Sequence, residues 1–404
     1  MFAAAALAAV PVHVVRTDLK PLIRAAADSP VQFAVLVPYA VSTARDGTWS
    51  STNGQATWRY AVQVPTAVSL SFHATKSFLP GNAKLVVRGS RTTTTYQARD
   101  MYLGDLWSRI APGEALEFTL TVAAADRSRT ILNIVSLQAG YRSLGAGVED
   151  HPYYRQLKAQ QAAATGNAAC VVNYECRVTA ADTPLGSATV ALVVENLHQC
   201  TGVLINDVPG DNTPYVLTAR HCQTGQLGGG NAGAAAAVTV YWNATTPCGS
   251  ALGSLYDGAN TQTQTGARTV VEQQDAWLIR LSTSPVASNA QFAGFDASGG
   301  GVLGGYTIHH AEGHDKQFTE WFGRAAAVQA SGELGVSYIS NFWETVNQLG
   351  NIGPGASGSG LFDQKNHLVG SLSLGRTTSD PSGYGASARY FPDSHPPARG
   401  LNGV

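Results

Sequence analysis

Three separated segments carry residue types that together could perform acyl transfer. His221 ends the run VLTARH (216–221), Asp275 precedes the apolar run AWLIRL (276–281), and Ser357 lies within GPGASGSG (353–360). Acyl transfer needs a hydroxyl activated by an imidazole, a carboxylate that orients that imidazole, and N–H donors for the developing oxyanion. The three segments supply one candidate for each of the three side-chain roles.

The glycine-rich segment also offers the N–H donors. Glycines on both sides of Ser357 permit a sharp backbone turn, so the amides of Gly355 and Ser357 can converge on one point. They are the candidate oxyanion hole. A glycine-rich run of this kind is by itself most often a flexible turn, so the catalytic interpretation depends on all three segments being present together.

The composition excludes several classes of function. Charged residues make up 13% of the 404 residues, about half the usual share, and the formal net charge is −1. Nucleic-acid binding requires clustered Lys and Arg, so no nucleic-acid partner is expected. The abundance of Gly, Ala, Ser and Thr favours short strands joined by tight turns.

The cysteines indicate an oxidising compartment. All five lie between Cys170 and Cys248, with 5, 23, 21 and 25 residues between consecutive cysteines, which matches no zinc pattern. A local disulfide framework is the simplest interpretation. No metal and no cofactor are therefore expected, and the protein is predicted to be secreted.

Two regions alternate apolar and polar residues with the period of strands. The first, about 31–142, is predicted to be a β-sandwich or jelly roll, and the second, beyond Cys170, a large barrel or two small ones. The predicted class is all-β. The expected boundaries are a sandwich at 17–148, a linker at 149–168 and a second domain at 169–404.

The first residues resemble the apolar core of a secretory signal peptide. They read MFAAAALAAVPVHVV, without the Lys or Arg expected before such a core. Residues 1–16 are thus interpreted as a truncated signal peptide. No other stretch reaches 18 consecutive apolar residues, so no membrane partner is predicted.

Taken together, the motifs resemble the chymotrypsin-type serine peptidases. The matching patterns are Cys-Thr-Gly-x-Leu, Leu-Thr-Ala-x-His-Cys, Asp-x-x-Leu-Ile-x-Leu and Gly-x-Ser-Gly-Ser, with His, Asp and Ser in that order. Finer features resemble the bacterial lysyl-endopeptidase branch, namely Cys170-x5-Cys176, Val240-Tyr-Trp242 before Cys248, Ile308-His-His310 and Val369-Gly-Ser-Leu-Ser373. The N-terminal region, with Gly104-Asp-Leu-Trp107, is similar to the prodomain of that branch.

The resemblance implies a double β-barrel peptidase and a role for each site residue. Ser357 would be the nucleophile, His221 the general base and then acid, and Asp275 the orienting carboxylate. Gly355 and Ser357 would form the oxyanion hole, and Ser373 falls where the wider fold has a serine that bonds the catalytic Asp. The resemblance also pairs Cys200 with Cys222 and Cys176 with Cys248, and leaves Cys170 without an assigned partner.

Substrate preference follows less directly from the resemblance. The family reads a substrate Lys with an Asp just before a Tyr-Gly pair. Here Asp380 precedes Tyr384-Gly385 by four residues where two are expected, and an ungapped alignment places Ser382 there instead. The resemblance thus implies cleavage after Lys or Arg, with Asp380 and Ser373 as the residues of the substrate site.

The expected protein is a secreted, monomeric serine endopeptidase. Its expected partners are a polypeptide substrate and its own prodomain. The prodomain would be released by a cut within the linker, for example after Arg155 or Lys158. One alternative is a peptidase-fold binding or adhesion protein without turnover. Another is a serine hydrolase, such as an esterase, with a different specificity. His309 and His310 are not expected to share a metal, because adjacent strand positions face opposite ways.

Overall fold

The structure is a computed structural model with two compact units. It describes residues 10–26, 29, 31–142, 144, 172–177, 183–225, 230–255, 262–298, 303–322, 326–330, 340–350, 352–376 and 387–392. The first unit comprises Met1–Arg24 and Val35–Tyr141, and the second comprises Ala25–Ala34 and Arg142–Val404. The second unit therefore includes a short stretch of chain that precedes the first unit's main body.

The first unit contains most of helix α1 and two antiparallel-rich sheets. Helix α1 is Lys20–Ala26, and the strands are β1 (Val12–Val14), β2 (Ala34–Ser42), β3 (Thr48–Thr52), β4 (Gln55–Gln63), β5 (Ser69–Ala74), β6 (Lys84–Arg88), β7 (Thr93–Tyr96), β8 (Leu106–Trp107), β9 (Ala111–Pro112), β10 (Ala115–Ala123) and β11 (Asn133–Gly140). One sheet has the order β1-β4-β10-β6-β7 with β3 beside β4, and the other has the order β2-β11-β5-β8 with β9 beside β5.

Alternating burial joins these sheets into a sandwich. Along β10 the side chains of Leu116, Phe118, Leu120 and Val122 are buried, while the intervening ones are not. The ring of Phe118 meets that of Phe72 on the other sheet edge-on, with centroids 5.2 Å apart. Such a two-sheet core is what period-two sequences produce, and the predicted sandwich is confirmed.

The strands of the second unit form two further sheets, preceded by helix α2 (Thr183–Ala188). The first sheet contains β12 (Thr189–Val194), β13 (His198–Ile205), β14 (Tyr215–Ala219), β15 (Val238–Trp242), β16 (Gln262–Thr265), β17 (Ala267–Gln273) and β18 (Ala276–Leu281). Its order is β16-β15-β12-β13-β14-β18-β17. The two outer strands are consecutive in the chain and meet at Gly266, so the sheet curls into a barrel.

The second sheet closes through an additional strand pairing. It contains β19 (Gly304–His309), β20 (Gln317–Phe322), β21 (Ala326–Ala330), β22 (Ser340–Leu349), β23 (Gly360–Asp363), β24 (Leu368–Arg376) and β25 (Ser387–Pro392). The order is β20-β19-β23-β24-β25-β22-β21, and β20 also pairs with β22. The all-β, double-barrel architecture expected from the sequence is therefore confirmed.

The described helices are short, and none of them has the length and apolar character needed to cross a membrane.

Candidate active site

Strand register brings His221 and Asp275 together. Strands β14 and β18 are antiparallel neighbours in which Ala219 lies opposite Ala276. The residues that follow β14 therefore meet the residue that precedes β18. A short 3₁₀ helix, Arg220–Gln223, begins there and carries His221, and the amide of Arg220 donates to the Asp275 carbonyl at 2.7 Å.

The carboxylate of Asp275 holds the His221 ring from one side. His221 Nδ1 lies 2.9 Å from Asp275 Oδ2 and 3.1 Å from Oδ1, and the His221 amide donates to Oδ1 at 2.9 Å. Both residues are buried. A carboxylate at Nδ1 favours the tautomer with its proton on Nδ1, which leaves Nε2 with a lone pair that can accept a proton.

Ser373 completes the surroundings of the carboxylate. The residue lies on β24 of the second barrel, is buried, and its hydroxyl donates to Asp275 Oδ2. Asp275 thus receives hydrogen bonds from both barrels of the second unit. Hydrogen bonds to a buried carboxylate offset the loss of water around its charge.

A disulfide ties the His221 helix to the neighbouring strand. Cys222 follows His221 and is bonded to Cys200 on β13, and a second disulfide joins Cys176 to Cys248. Both pairings are those implied by the resemblance. Because the sulfurs next to His221 are in a disulfide, they are not thiolates that could hold a metal ion. Cys170 lies outside the described residues.

The segment that carries Ser357 is anchored on β13 by Thr201. The Thr201 amide donates to the Ser357 carbonyl at 2.8 Å, and the Thr201 hydroxyl donates to the Gly355 carbonyl at 2.8 Å. Since β13 is bonded to the His221 helix through the disulfide, the same strand positions both His221 and the Ser357 segment.

Two glycines make this close approach possible. Gly355 and Gly358 have φ values of +92° and +83°, a region that side chains other than glycine rarely adopt. A Cβ at Gly358 would lie 2.1 Å from Thr218 Oγ1 and 2.4 Å from the Thr201 carbonyl oxygen. The Ser357 segment therefore packs directly against the backbone of the strands beside His221.

The turn leaves two amides available to a ligand. Within the described part of the chain, the amides of Gly355 and Ser357 donate no hydrogen bond, whereas the intervening Ala356 amide donates to Gly353 at 3.0 Å. Ser357 is half-buried. Among the same described residues, its hydroxyl is not hydrogen bonded to His221, and such bonds commonly tighten only when substrate binds.

More than half of the sequence matches a known family. The family described as lysyl endopeptidase, C-terminal domain, matches residues 165–391. The chain belongs to the lysyl endopeptidase family. It is accordingly a serine peptidase of the chymotrypsin fold, and the matched range contains all the predicted site residues.

Two solved structures are among those similar to this lysyl endopeptidase family member. The active form of the Rv3671c protease from M. tuberculosis is 16% identical, with a TM-score of 0.36, and the match covers 59% of this chain and 86% of that chain. The HtrA-type protease AlgW with a tripeptide is 15% identical, with a TM-score of 0.33, over 52% of this chain and 58% of that chain.

Sequence reasoning did not find one buried residue that shapes the peptidase site. Gln199 is 2% exposed, and its side-chain amide donates to the His310 carbonyl at 2.8 Å. Its Oε1 atom fills the space that a Cβ at Gly355 would need. In the sequence, Gln199 is marked only by its position directly before the Cys-Thr-Gly motif.

Three further histidines near the site are buried. Burial, followed by the nearby His221, lowers the pKa of His198 to about 4, and burial lowers the pKa of His310 to about 3. His309 Nε2 contacts Thr319 Oγ1 at 3.0 Å, whereas His310 Nδ1 contacts the His314 carbonyl at 3.0 Å. The adjacent histidines thus have separate partners, as expected for neighbouring positions at a strand end.

Asp380 and the alternative Ser382 lie outside the described residues, as do the linker residues Arg155 and Lys158.

Proposed function

We propose that this chain is a secreted serine endopeptidase that cleaves after Lys or Arg, with Ser357, His221 and Asp275 as its catalytic triad. The observation that carries the proposal is the buried His221–Asp275–Ser373 hydrogen-bond chain, beside a Ser357 segment that β13 anchors. Strand β13 is therefore bonded both to the helix that carries His221 and to the segment that carries Ser357.

The first half of the reaction acylates Ser357. The hydroxyl proton passes to His221 Nε2 as Oγ attacks the carbonyl carbon of the scissile peptide. The carbonyl π electrons move to oxygen, and the amides of Gly355 and Ser357 donate to the resulting oxyanion. Each such donor contributes about 3 to 4 kcal/mol to transition-state stabilisation in comparable sites. The tetrahedral species collapses, and His221 gives its proton to the departing amine.

The second half repeats these steps with water. His221 takes a proton from water, the hydroxide attacks the ester carbonyl, and the C–Oγ bond breaks as His221 returns the proton to Ser357. Throughout, Asp275 orients the ring and stabilises the imidazolium. Ser373 acts as a positioning residue, because in the described structure its hydroxyl bonds the Asp275 carboxylate and not the reacting atoms.

The proposed preference for basic residues rests on the family and on one acidic residue. The matching family is described as lysyl endopeptidase, and Asp380 lies four residues before Tyr384 in the sequence. A carboxylate at the base of a specificity pocket would pair with a substrate ammonium or guanidinium group. The alternative alignment assigns this position to Ser382.

Secretion and a prodomain role for the first unit are part of the same proposal. Two disulfides support an oxidising compartment, because disulfides persist mainly outside the cytosol. The sandwich unit would be separated from the peptidase unit by a cut within residues 149–168, and the mature enzyme would act as a monomer without a cofactor.

The test compares the wild-type chain with Ser357→Ala on a mixture of peptides of varied sequence, with cut sites read by mass spectrometry. Ser282→Ala, a change at an exposed serine of the same unit, is the matched control. We expect cuts after Lys or Arg by the wild type and Ser282→Ala, and none by Ser357→Ala. Equal cleavage by Ser357→Ala would refute the assignment of the nucleophile, and no cleavage by any folded, processed chain would favour a binding protein.

A second comparison addresses specificity. Asp380→Ala is expected to abolish cleavage after Lys while retaining cleavage elsewhere, and Ser382→Ala is expected to change little. The reverse pattern would support the ungapped alignment instead.

A further inference from the structure

A piece of chain from before the sandwich is built into the peptidase unit. The Gln199 amide donates to the Val31 carbonyl at 2.9 Å, and the Phe33 amide donates to the Leu197 carbonyl at 2.9 Å. Gln32 and His198 form the antiparallel bridge between these two bonds. Residues 31–33 thus add a short strand to the edge at which β13 begins.

The added strand is anchored in the barrel core. Val31 is 3% exposed and belongs to the same apolar cluster as Cys200 and Cys222. Ser29 is also buried, and its hydroxyl donates to the Gly225 carbonyl at 2.9 Å. The Gly225 amide in turn donates to the His221 carbonyl at 2.7 Å, so two hydrogen bonds link Ser29 to the backbone of His221.

The chain that leaves the sandwich is held beside the same strand. The Arg142 amide donates to the Phe33 carbonyl at 3.2 Å, and Arg142 Nη1 donates to the Ser29 carbonyl at 2.7 Å. Leu144 packs on Gly313, where an added Cβ would lie 2.6 Å from that of Leu144. The segments that precede and follow the sandwich in the sequence therefore both belong to the peptidase unit.

We infer that Ser29, residues 31–33, Arg142 and Leu144 form a docking segment that keeps the N-terminal fragment bound to the peptidase unit after the chain has been cut between residues 149 and 168. Such a cut leaves the docking segment on one fragment and its binding site on the other. The interaction surface is the edge at residues 197–199 together with the core position filled by Val31. Its partner is this chain's own processed N-terminal fragment.

An inhibitory consequence follows, and this part rests on the proposed peptidase function. A strand edge pairs with one extended polypeptide at a time, and the edge at 197–199 runs directly into Cys200, which is bonded to the residue after His221. A retained fragment would exclude other extended peptides from this edge. Full activity then requires dissociation or further digestion of the fragment as well as the cut.

The test of docking uses the full chain with Ser357→Ala, so that binding is measured without self-processing. A recognition sequence for an unrelated protease is placed within 151–168, the chain is cut, and the fragments are followed by size-exclusion chromatography at micromolar concentration. We expect them to elute together. Separation of the wild-type fragments would overturn the inference.

Variants identify the docking segment. Val31→Asp is expected to weaken the association by about tenfold or more, because it places a charge in an apolar core. Val135→Asp, at a site that is 40% exposed in the same fragment, is the matched control and should leave the association unchanged. Equal effects of the two changes would contradict the inference. If circular dichroism shows that Val31→Asp prevents folding, Arg142→Ala takes its place as the test variant. It removes the hydrogen bond to the Ser29 carbonyl and should also weaken the association of the fragments.

Inhibition is measured separately on the cut chain with Ser357 intact. On dilution, activity per molecule should rise for the wild type and should already be maximal for Val31→Asp. Activity that stays constant while the wild-type fragments separate would refute inhibition but not docking. Absence of peptidase activity would count against the proposed function alone, because the Ser357→Ala experiment still reports docking.

Discussion

Replacing Gly355 by alanine tests how the Ser357 segment is held. A Cβ at this position would lie 1.8 Å from Gln199 Oε1 and 2.7 Å from Gln199 Cδ. The Gln199 side chain cannot move aside freely, because it is buried and bonded to the His310 carbonyl. The variant must therefore break that bond or shift the loop.

The expected cost has two parts. Holding a residue other than glycine at a left-handed φ costs about 1 to 2 kcal/mol, and leaving the His310 carbonyl without its buried partner costs about 1 to 3 kcal/mol. Gln199→Ala alone should lose only the second part. In the double variant that hydrogen bond is already gone and the clash is relieved, so the two costs should fall short of additivity by about 1 to 3 kcal/mol.

The assay is urea unfolding of the four chains of this cycle, all carrying Ser357→Ala so that self-digestion does not interfere. The free energy of unfolding comes from the midpoint and slope of each transition. Strictly additive costs would show that the Gln199 side chain does not restrain Gly355, and would refute the steric argument.

Three further outcomes follow from the site. Gly358→Ala should destabilise the chain more than Gly355→Ala in the same urea assay, because its Cβ would also lie 2.4 Å from the fixed backbone carbonyl of Thr201; a smaller loss would contradict the backbone contact. Asp275→Asn should lower kcat by about ten-thousandfold, as the amide would select the wrong His221 tautomer, and unchanged kcat in peptide hydrolysis would exclude its assigned role. Burial holds the pKa of His310 at about 3, below its ordinary value of 6.5. Between these pH values the unfolded chain binds a proton that the native chain does not. The free energy of unfolding should therefore fall as the pH drops from 6.5 towards 3. His310→Gln should reduce that pH dependence of the urea midpoint without abolishing it, because buried His198 contributes a dependence of the same sign. An unaltered slope would show that other groups cause it.

Local patterns predicted much of the sheet structure. The alternating run EFTLTVA (117–123) lies within β10, AWLIRL (276–281) coincides with β18, and ATVALVVEN (188–196) spans β12. The prediction of β10 succeeded because alternation records which face of a strand is buried. Strands β12 and β18 are buried on nearly every side chain, and a short apolar run was the local signal there.

The sequence also predicted the candidate catalytic groups of the site, but not all of the residues that position them. Motifs around His221, Asp275 and Ser357 identified candidate groups, and the structure brings His221 and Asp275 into direct contact. The roles of Gln199 and Thr201 were not predicted, because each acts through a residue more than a hundred positions away. The placement of Ser29 and Val31 in the peptidase unit was missed for the same reason, as the alternation near residue 31 is equally consistent with a sandwich strand.

Sequence patterns alone identified the kinds of chemical groups present, the all-β class and the strands that carry the catalytic candidates. Three-dimensional contacts were needed to show which strand edges meet, that β13 supports both His221 and the Ser357 segment, and that residues 31–33 pair with the edge at residues 197–199. A strand's sequence specifies its buried face, whereas backbone hydrogen bonds along its edge are nearly independent of side chains. The choice of neighbour is therefore made by the packing of the whole unit.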